Sequence, residues 1–483
     1  MSLTGVRFSR GPLKWLLHFG LEIASLIGNF MKSNSLSCKP LTLLEINELN
    51  FDIVRLYIAQ SPGRFPNFER LLQTEYRETS SEASYEKLEP WIQWVSAHSG
   101  MTADEHGVFR LGDAVKTEFP QLLGTLEKKG LRVGGVSPMN MANQTRQPAY
   151  FIPDPWTQTP TDGSVWSKGI WSAISQAVND NAQGKITAGT LGWLALAFAR
   201  FASWGRLGRY VSLARRSRSA PWRKALFLDL FLDDVHQGLL DAKGPDFSIL
   251  FLNAGAHIQH HYLFNAKGLS DNKLANPSWY LAPDQDPFVE MLEVFDVILG
   301  RHLSQGRDLI VATGLSQVPY DRVKFYYRLK NHHAFLQRLG VPFVHALPRM
   351  TRDFLVECSD EQAAAEAARQ LGSVRVVADG QPVFGEIDRR GASLFVTLTY
   401  PKEIAQGFKI SDASGRVFDF HDDVAFVAIK NGMHSERGFC FFHGSVASHA
   451  MAQGAHVKSL HDAVLSHFGV DAGLAMASKK AAA

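Results

Sequence analysis

Three imidazoles fall within five residues of the segment FLNAGAHIQHHYL, Phe251–Leu263: His257, His260 and His261. The segment follows directly on an apolar run, DFSILFL. If a helix starts near 254–256, His257 and His261 lie four apart on one face, and His260 lies three from His257 on nearly the same side. That spacing can chelate one borderline metal ion through imidazole nitrogens. A carboxylate such as Glu45, Glu48 or Glu89, with the distant His434, would complete the set. Imidazole also titrates near neutrality, so the same residues suit general acid–base work. The plainer alternative, satisfied core or surface histidines, stays open for His261 and His257.

Chemistry at that position requires strand ends to converge. Four apolar runs of strand length alternate with helical patterns: LTLLEIN (Leu41–Asn47), LRVGGVSP (Leu131–Pro138), DFSILFLN and RDLIVATG. FPNFERLLQT and FPQLLGTLEKKG read as helices, the second ending on Gly130. Such alternation predicts an α/β fold, a mostly parallel sheet with helices on both faces. Sites in these sheets lie beyond the carboxyl ends of the strands. The residues to watch are therefore Asn47 and Glu48, Pro138 to Asn140, Asn253 to His261, and Thr313 to Gln317. Glu89 stands before Pro90, where an acid suits the start of a helix and a cap is as natural as a catalytic or ligand role. Ser96, two turns further on, reads as a packed residue.

At 483 residues, with 45% hydrophobic and 20% charged content, the chain is an ordinary globular one, expected to be one large domain with insertions or two domains. A net charge of +3 points to no polyanionic partner. The cysteines Cys38, Cys358 and Cys440 are scattered and odd in number, as expected of reduced thiols in a cytoplasmic protein. Gly11 to Lys32 is apolar but interrupted by Lys14, His18 and Glu22, which predicts an amphipathic helix over 1–35, packed on the body or lying on a membrane or partner. No Asp or Glu occurs from Asn181 to Leu228, while nine Lys and Arg residues do. This basic helical insertion, 181–228, could face a membrane surface or an acidic partner, or remain a solvated face paired with acids elsewhere. Alternating residues with Gly turns predict a small antiparallel β addition over 374–440. The core would then comprise 36–180 and 229–373, with 441–483 supplying a last helix and tail.

Taken in order, the strand-end segments resemble the alkaline phosphatase superfamily, particularly its type I phosphodiesterase and nucleotide pyrophosphatase branch. LLEINELNFDIVRLYIAQSPGRFPNFERLLQ resembles the family's opening strand, metal-bearing turn and following helix. EPWIQWVSAHSGMTADEHGVFRLGD resembles the nucleophile helix and the segment after it. LNAGAHIQHHY, IVATGLSQVPY and GMHSERGF stand where the family has its later metal segments. The resemblance implies an alkaline phosphatase-like fold and in-line displacement at a phosphate- or sulfate-type ester, nucleotide- or sugar-linked, with metal assistance.

The ligand pattern departs from the family's. Asn47 replaces the first Asp, Glu89, Pro90 or Trp91 stands at the nucleophile, and Thr313 and Gly314 replace a late Asp–His pair. The expectation is therefore at most one divalent cation (zinc, manganese or iron) held by His257, His260, His434 and Glu45. Glu89, His257 and Asn47 are the expected catalytic residues, and Asn253, Thr313, Ser316 and Gln317 the substrate-binding ones. A small phosphoester or sugar substrate follows, with no nucleic-acid recognition. Two alternatives remain: a metal-independent group-transfer enzyme of polysaccharide metabolism, and a pseudoenzyme acting as a binding or scaffold protein.

Overall fold

The structure, a computed structural model, describes residues 38–179, 187–269, 273–349 and 352–471. The helix expected over 1–35 and the end of the C-terminal tail lie outside them. The chain divides into two units, Met1–Lys39 and Pro40–Ala483, and the elements below belong to the second.

Each expected core run is a strand. The four are β1 (Leu41–Ile46), β3 (Val133–Val136), β5 (Phe247–Leu252) and β6 (Asp308–Ala312), and two strands outside those runs join them, β2 (Glu75–Ser80) and β4 (Tyr150–Ile152). The long β7 (Ser316–Leu329) leaves this region. The strands β8 (His345–Pro348), β9 (Asp353–Glu357), β10 (Arg375–Val376), β11 (Phe384–Arg390), β12 (Ser393–Leu398), β13 (Lys409–Ser411) and β14 (Val417–Asp419) follow. β15 (Val424–Ser435) returns along β7, and β16 (Arg437–His443) re-enters the main sheet. That sheet has the order β2-β16-β6-β1-β5-β3-β4. β6, β1, β5, β3 and β4 are parallel neighbours, and β16 is antiparallel between β2 and β6. The fold is thus a mostly parallel sheet with an antiparallel edge, as the alternating pattern predicts.

Burial explains the near-continuous apolar strands. β1 is wholly buried, because it lies between β5 and β6 with helices over both faces. One face carries the helices Phe51–Gln60, Arg223–Lys243 and Pro287–Leu303. The other carries Pro90–Ser99, where Trp94 meets Phe251 edge-on, and Ser459–His467, after which Phe468 meets Phe247. Gly134 is required where β3 meets β4, since a Cβ there would sit 2.5 Å from the Tyr150 ring. Among the described residues, no helix is long and apolar enough to cross a membrane.

The β-rich addition differs from its expected bounds of 374–440. A second apolar core runs from Tyr327 to Val424 and includes Phe354, Val356, Leu394 and Val396 on the paired β9 and β12. β8, β9 and the helix Glu361–Ser373 therefore belong to the addition, whereas β16 belongs to the main sheet. The alternation in DFLVE is too short to show which sheet it joins.

Candidate active site

The ends of β1 and β6, the helix after β5 and the β7–β15 ribbon converge on Glu48. Its Oε2 lies 3.0 Å from His260 Nε2 and 3.2 Å from His434 Nε2, and the two imidazole nitrogens are 3.3 Å apart. Glu48 has a φ of 61°, in the left-handed region that favours glycine. Its amide donates to Thr313 O at 3.0 Å, which fixes that turn. A strained residue kept as glutamate, where glycine would relax the backbone, indicates that the side chain is what the position needs.

Neighbouring amides aim the carboxylate. Asn47 Nδ2 donates to Glu48 Oε1 at 3.0 Å and to Asn253 Oδ1 at 2.8 Å, while Trp94 Nε1 donates to Asn47 Oδ1 at 2.8 Å. Gln317 Nε2 donates to Glu48 Oε2 and, at 3.1 Å, to Ala256 O. Burial alone would raise the Glu48 carboxyl, but the charges and hydrogen bonds of His260 and His434 outweigh it and hold it far below the usual range. Burial lowers His434 and the two carboxylates raise it, with a net rise.

These three residues fit a cation. Tetrahedral coordination with bonds of 2.0–2.1 Å separates ligand atoms by about 3.3 Å. The three observed separations match one face of such a tetrahedron. Two imidazole Nε2 atoms facing each other cannot both donate across the gap between them, whereas both can donate lone pairs to a metal. The set of two nitrogens and one carboxylate suits zinc, manganese or iron, and it is the one such cluster among the described residues.

The expected ligand set changes in two places. Glu45 points to the opposite side of β1, where its Oε1 meets His98 Nε2 at 2.6 Å, both side chains fully buried. Glu48 supplies the carboxylate instead. His257 turns toward His261, with ring centroids 4.9 Å apart, and away from the cluster. The four-residue spacing does pair those two rings, and the three-residue step to His260 rotates it alone toward Glu48. Burial, and then the charge of His260, lowers His257 to about 4, so it is a neutral packed residue.

Three of the expected substrate contacts are likewise occupied within the protein. Thr313 Oγ1 accepts from Phe439 N at 2.9 Å, Ser316 pairs with Ser435 in the ribbon, and Gln317 is fully buried. Gln317, Asn47 and the Thr313 carbonyl position Glu48. Asn253 is half-buried, and its own amide and that of Ala254 donate to the buried Asp229, which holds the start of the histidine helix.

Glu89, like Asn47 an expected catalytic residue, also faces the cluster. It precedes the Pro90–Ser99 helix without making a capping bond, and its Oε2 lies 3.7 Å from His434 Nδ1. Burial, assisted by the Glu48 charge and opposed by His434 and Lys430, raises it to about 7. Ser96 is pinned within this helix by His106, whose Nε2 is 3.1 Å away. His106 Nδ1 accepts from Val108 N at 3.0 Å, so a second ring proton would meet an N–H head-on.

Burial accordingly lowers His106 to about 4. Its folded value lies below the unfolded 6.5, so the stability it confers is full above pH 6.5 and is lost as pH falls toward 4. At pH 5 this group alone should cost about 2 kcal/mol. Urea midpoints at pH 7 and pH 5 should differ less in His106→Gln than in the native chain; equal differences would remove His106 from the acid response.

One feature of this region lies outside the strand-end segments. Lys430 of β15 pairs in register with Lys324 of β7. Lys430 Nζ lies 4.4 Å from the Tyr320 ring centre and 3.4 Å from Tyr85 Oη, and Arg352 sits 4.4 Å over Tyr326. Burial and the neighbouring Lys324 and Arg352 lower Lys430 to about 8, while Glu89 and Asp321 pull it back up. Like charges directly opposite in a sheet are unfavourable, and the nearby Glu89 and Asp321 offset them in part. The signal was present in YDRVKFYYR, whose alternate residues are Tyr320, Arg322, Lys324, Tyr326 and Arg328.

No family model matches the chain, and no curated protein matches it. Solved structures do. Over 89% of its length the chain is similar to phosphonoacetate hydrolase from Sinorhizobium meliloti 1021, with 12% identity, a TM-score of 0.41 and 96% of that chain covered. Over 90% it is similar to human ectonucleotide pyrophosphatase/phosphodiesterase 5, with 10% identity, a TM-score of 0.41 and 96% covered. Over 89% it is similar to alkaline phosphatase from the Antarctic bacterium TAB5, with 11% identity, a TM-score of 0.39 and 98% covered.

Proposed function

We propose that this chain cleaves or transfers a phosphate- or sulfate-type ester, nucleotide- or sugar-linked, at a site holding one divalent cation. The observation that carries this reading is the triangle of Glu48, His260 and His434 at the strand ends, with an uncapped Glu89 beside it. When bound there, a cation would polarise the ester and neutralise charge developing on its oxygens.

The chain's own residues supply the rest. Asn47 and Gln317 hold Glu48 so that both imidazoles meet one carboxylate oxygen. Lys430, Lys324 and Arg352 orient the anionic part of the substrate, and Tyr85 and Tyr320 keep Lys430 in place. With no hydroxyl at the start of the Pro90–Ser99 helix, the attacking group is a water or an acceptor hydroxyl, and Glu89 takes its proton.

The test joins elemental analysis of purified protein to turnover of a phosphodiester, phosphomonoester and sulfate-ester panel, before and after EDTA. About one equivalent of metal and EDTA-sensitive turnover are expected. Turnover without metal would replace this reading with metal-independent group transfer. No turnover of any ester, with anions still bound, would leave a binding protein.

A further inference from the structure

The basic insertion presents a second feature, separate from the site. The helix Ala188–Phe201 turns Ala197 and Phe201 into the core and packs Trp193 edge-on against Trp166. Its inner face is therefore satisfied. The outer face is apolar as well: Leu191 is 56% exposed and Leu196 58%, and the lone polar residue between Ala188 and Ala199, Thr190, is buried. Just beyond it, Trp204 is 83% exposed. A helix apolar all round belongs inside a core or against another apolar phase.

Charge identifies that phase. Arg206 and Arg223 are drawn onto Asp233, Asp234 and Glu290, but Arg200, Arg215, Arg216 and Arg218 stay exposed. No acid lies between 181 and 228 to pair with them. A symmetric contact with a second copy would set these arginines against each other without counter-charge. An anionic bilayer accepts both features at once, leucines and a tryptophan at the acyl boundary and arginines among the headgroups.

We infer that the outer face of Ala188–Phe201, with Trp204 and the exposed arginines, docks this protein on an anionic lipid surface without crossing it. The test is flotation of the full chain with vesicles of phosphatidylcholine alone and of phosphatidylcholine with a one-third share of phosphatidylglycerol. The native chain should float with the anionic vesicles and be released by salt near 1 M, where the screening length shrinks to about 3 Å. Leu191→Ser/Leu196→Ser/Trp204→Ser should lower the partition coefficient by about tenfold or more. Arg215→Gln/Arg216→Gln should remove the preference for anionic vesicles. All substituted residues are exposed, so unchanged thermal melting is expected of both variants. The inference is overturned if the native chain floats with neither vesicle, or if both variants float as it does. It is also overturned if the chain is a dimer that the triple variant dissociates, with no lipid binding; the face would then be a self-contact.

Discussion

Glu48→Gln should abolish metal retention and lower kcat/KM by about a thousandfold or more, equivalent to about 4 kcal/mol of transition-state stabilisation. The substitution preserves size and replaces one oxygen by an NH2 group. In the native site Oε2 accepts from Gln317 and lies within 3.2 Å of the Nε2 atoms of His260 and His434, and Oε1 accepts from Asn47. Whichever way the amide is turned, its NH2 faces at least one donor, and the negative charge between the two imidazoles is gone. Glu48→Asp is the informative companion. It keeps the charge but withdraws the carboxylate by about 1.5 Å, one bond length, so it should retain part of the metal and lose less activity. Metal content by elemental analysis and steady-state kinetics read both. If Glu48→Gln retains native metal and turnover, the centre does not lie at this triangle.

The sheet was legible because its physics is local: an apolar run of strand length between helices has few other uses. That side chains able to bind an ion would meet near this strand end was legible for the same reason, since three histidines there mark a position where ligands can meet. Which groups meet was not. His257 and His260 differ by three residues on one helix, and only the helix's rotation decides that His260 reaches Glu48 while His257 packs on His261. Glu45 and Glu48 are equally acidic in the sequence, but strand alternation sends Glu45 to His98 and a left-handed turn delivers Glu48. Nothing in a sequence marks a glutamate that will adopt a φ of 61°. The Lys324–Lys430 pair is hidden for another reason: register across a ribbon whose strands are joined by a whole module is a tertiary fact, although the alternation within β7 announces one side of it. Glu89 was readable only as a choice between a cap and a catalytic or ligand role; in the structure it makes no capping bond and lies 3.7 Å from His434.

The same limit applies to the basic insertion, and it leads to the second large effect. Nine basic residues look alike between 181 and 228, yet Arg206 lies in the interior. Its Nη1 donates to Asp233 Oδ2 at 2.6 Å and Asp234 Oδ1 at 3.0 Å. Arg301 shares both carboxylates, and His302 Nε2 lies 2.8 Å from Asp233 Oδ1. Asp233 is fully buried; burial would raise its carboxyl, but His302, Arg301 and Arg206 hold it far below the ordinary range. A carboxyl lowered in this way adds stability above an unfolded value near 3.8 and loses it on acidification. Asp233→Ala should therefore cost about 3–5 kcal/mol at neutral pH, because it leaves two guanidinium groups sharing Asp234 in a buried site. Urea unfolding at pH 7 reads the loss, and metal content of the folded variant shows whether the distant triangle is intact, as it should be. A cost below about 1 kcal/mol would mean that water or a side-chain shift satisfies Arg206, as at an exposed ion pair. The network also explains how a run of exposed cations is anchored: Arg206 fastens it to the Arg223–Lys243 and Pro287–Leu303 helices, so Arg200, Arg215, Arg216 and Arg218 can face outward without loosening the core.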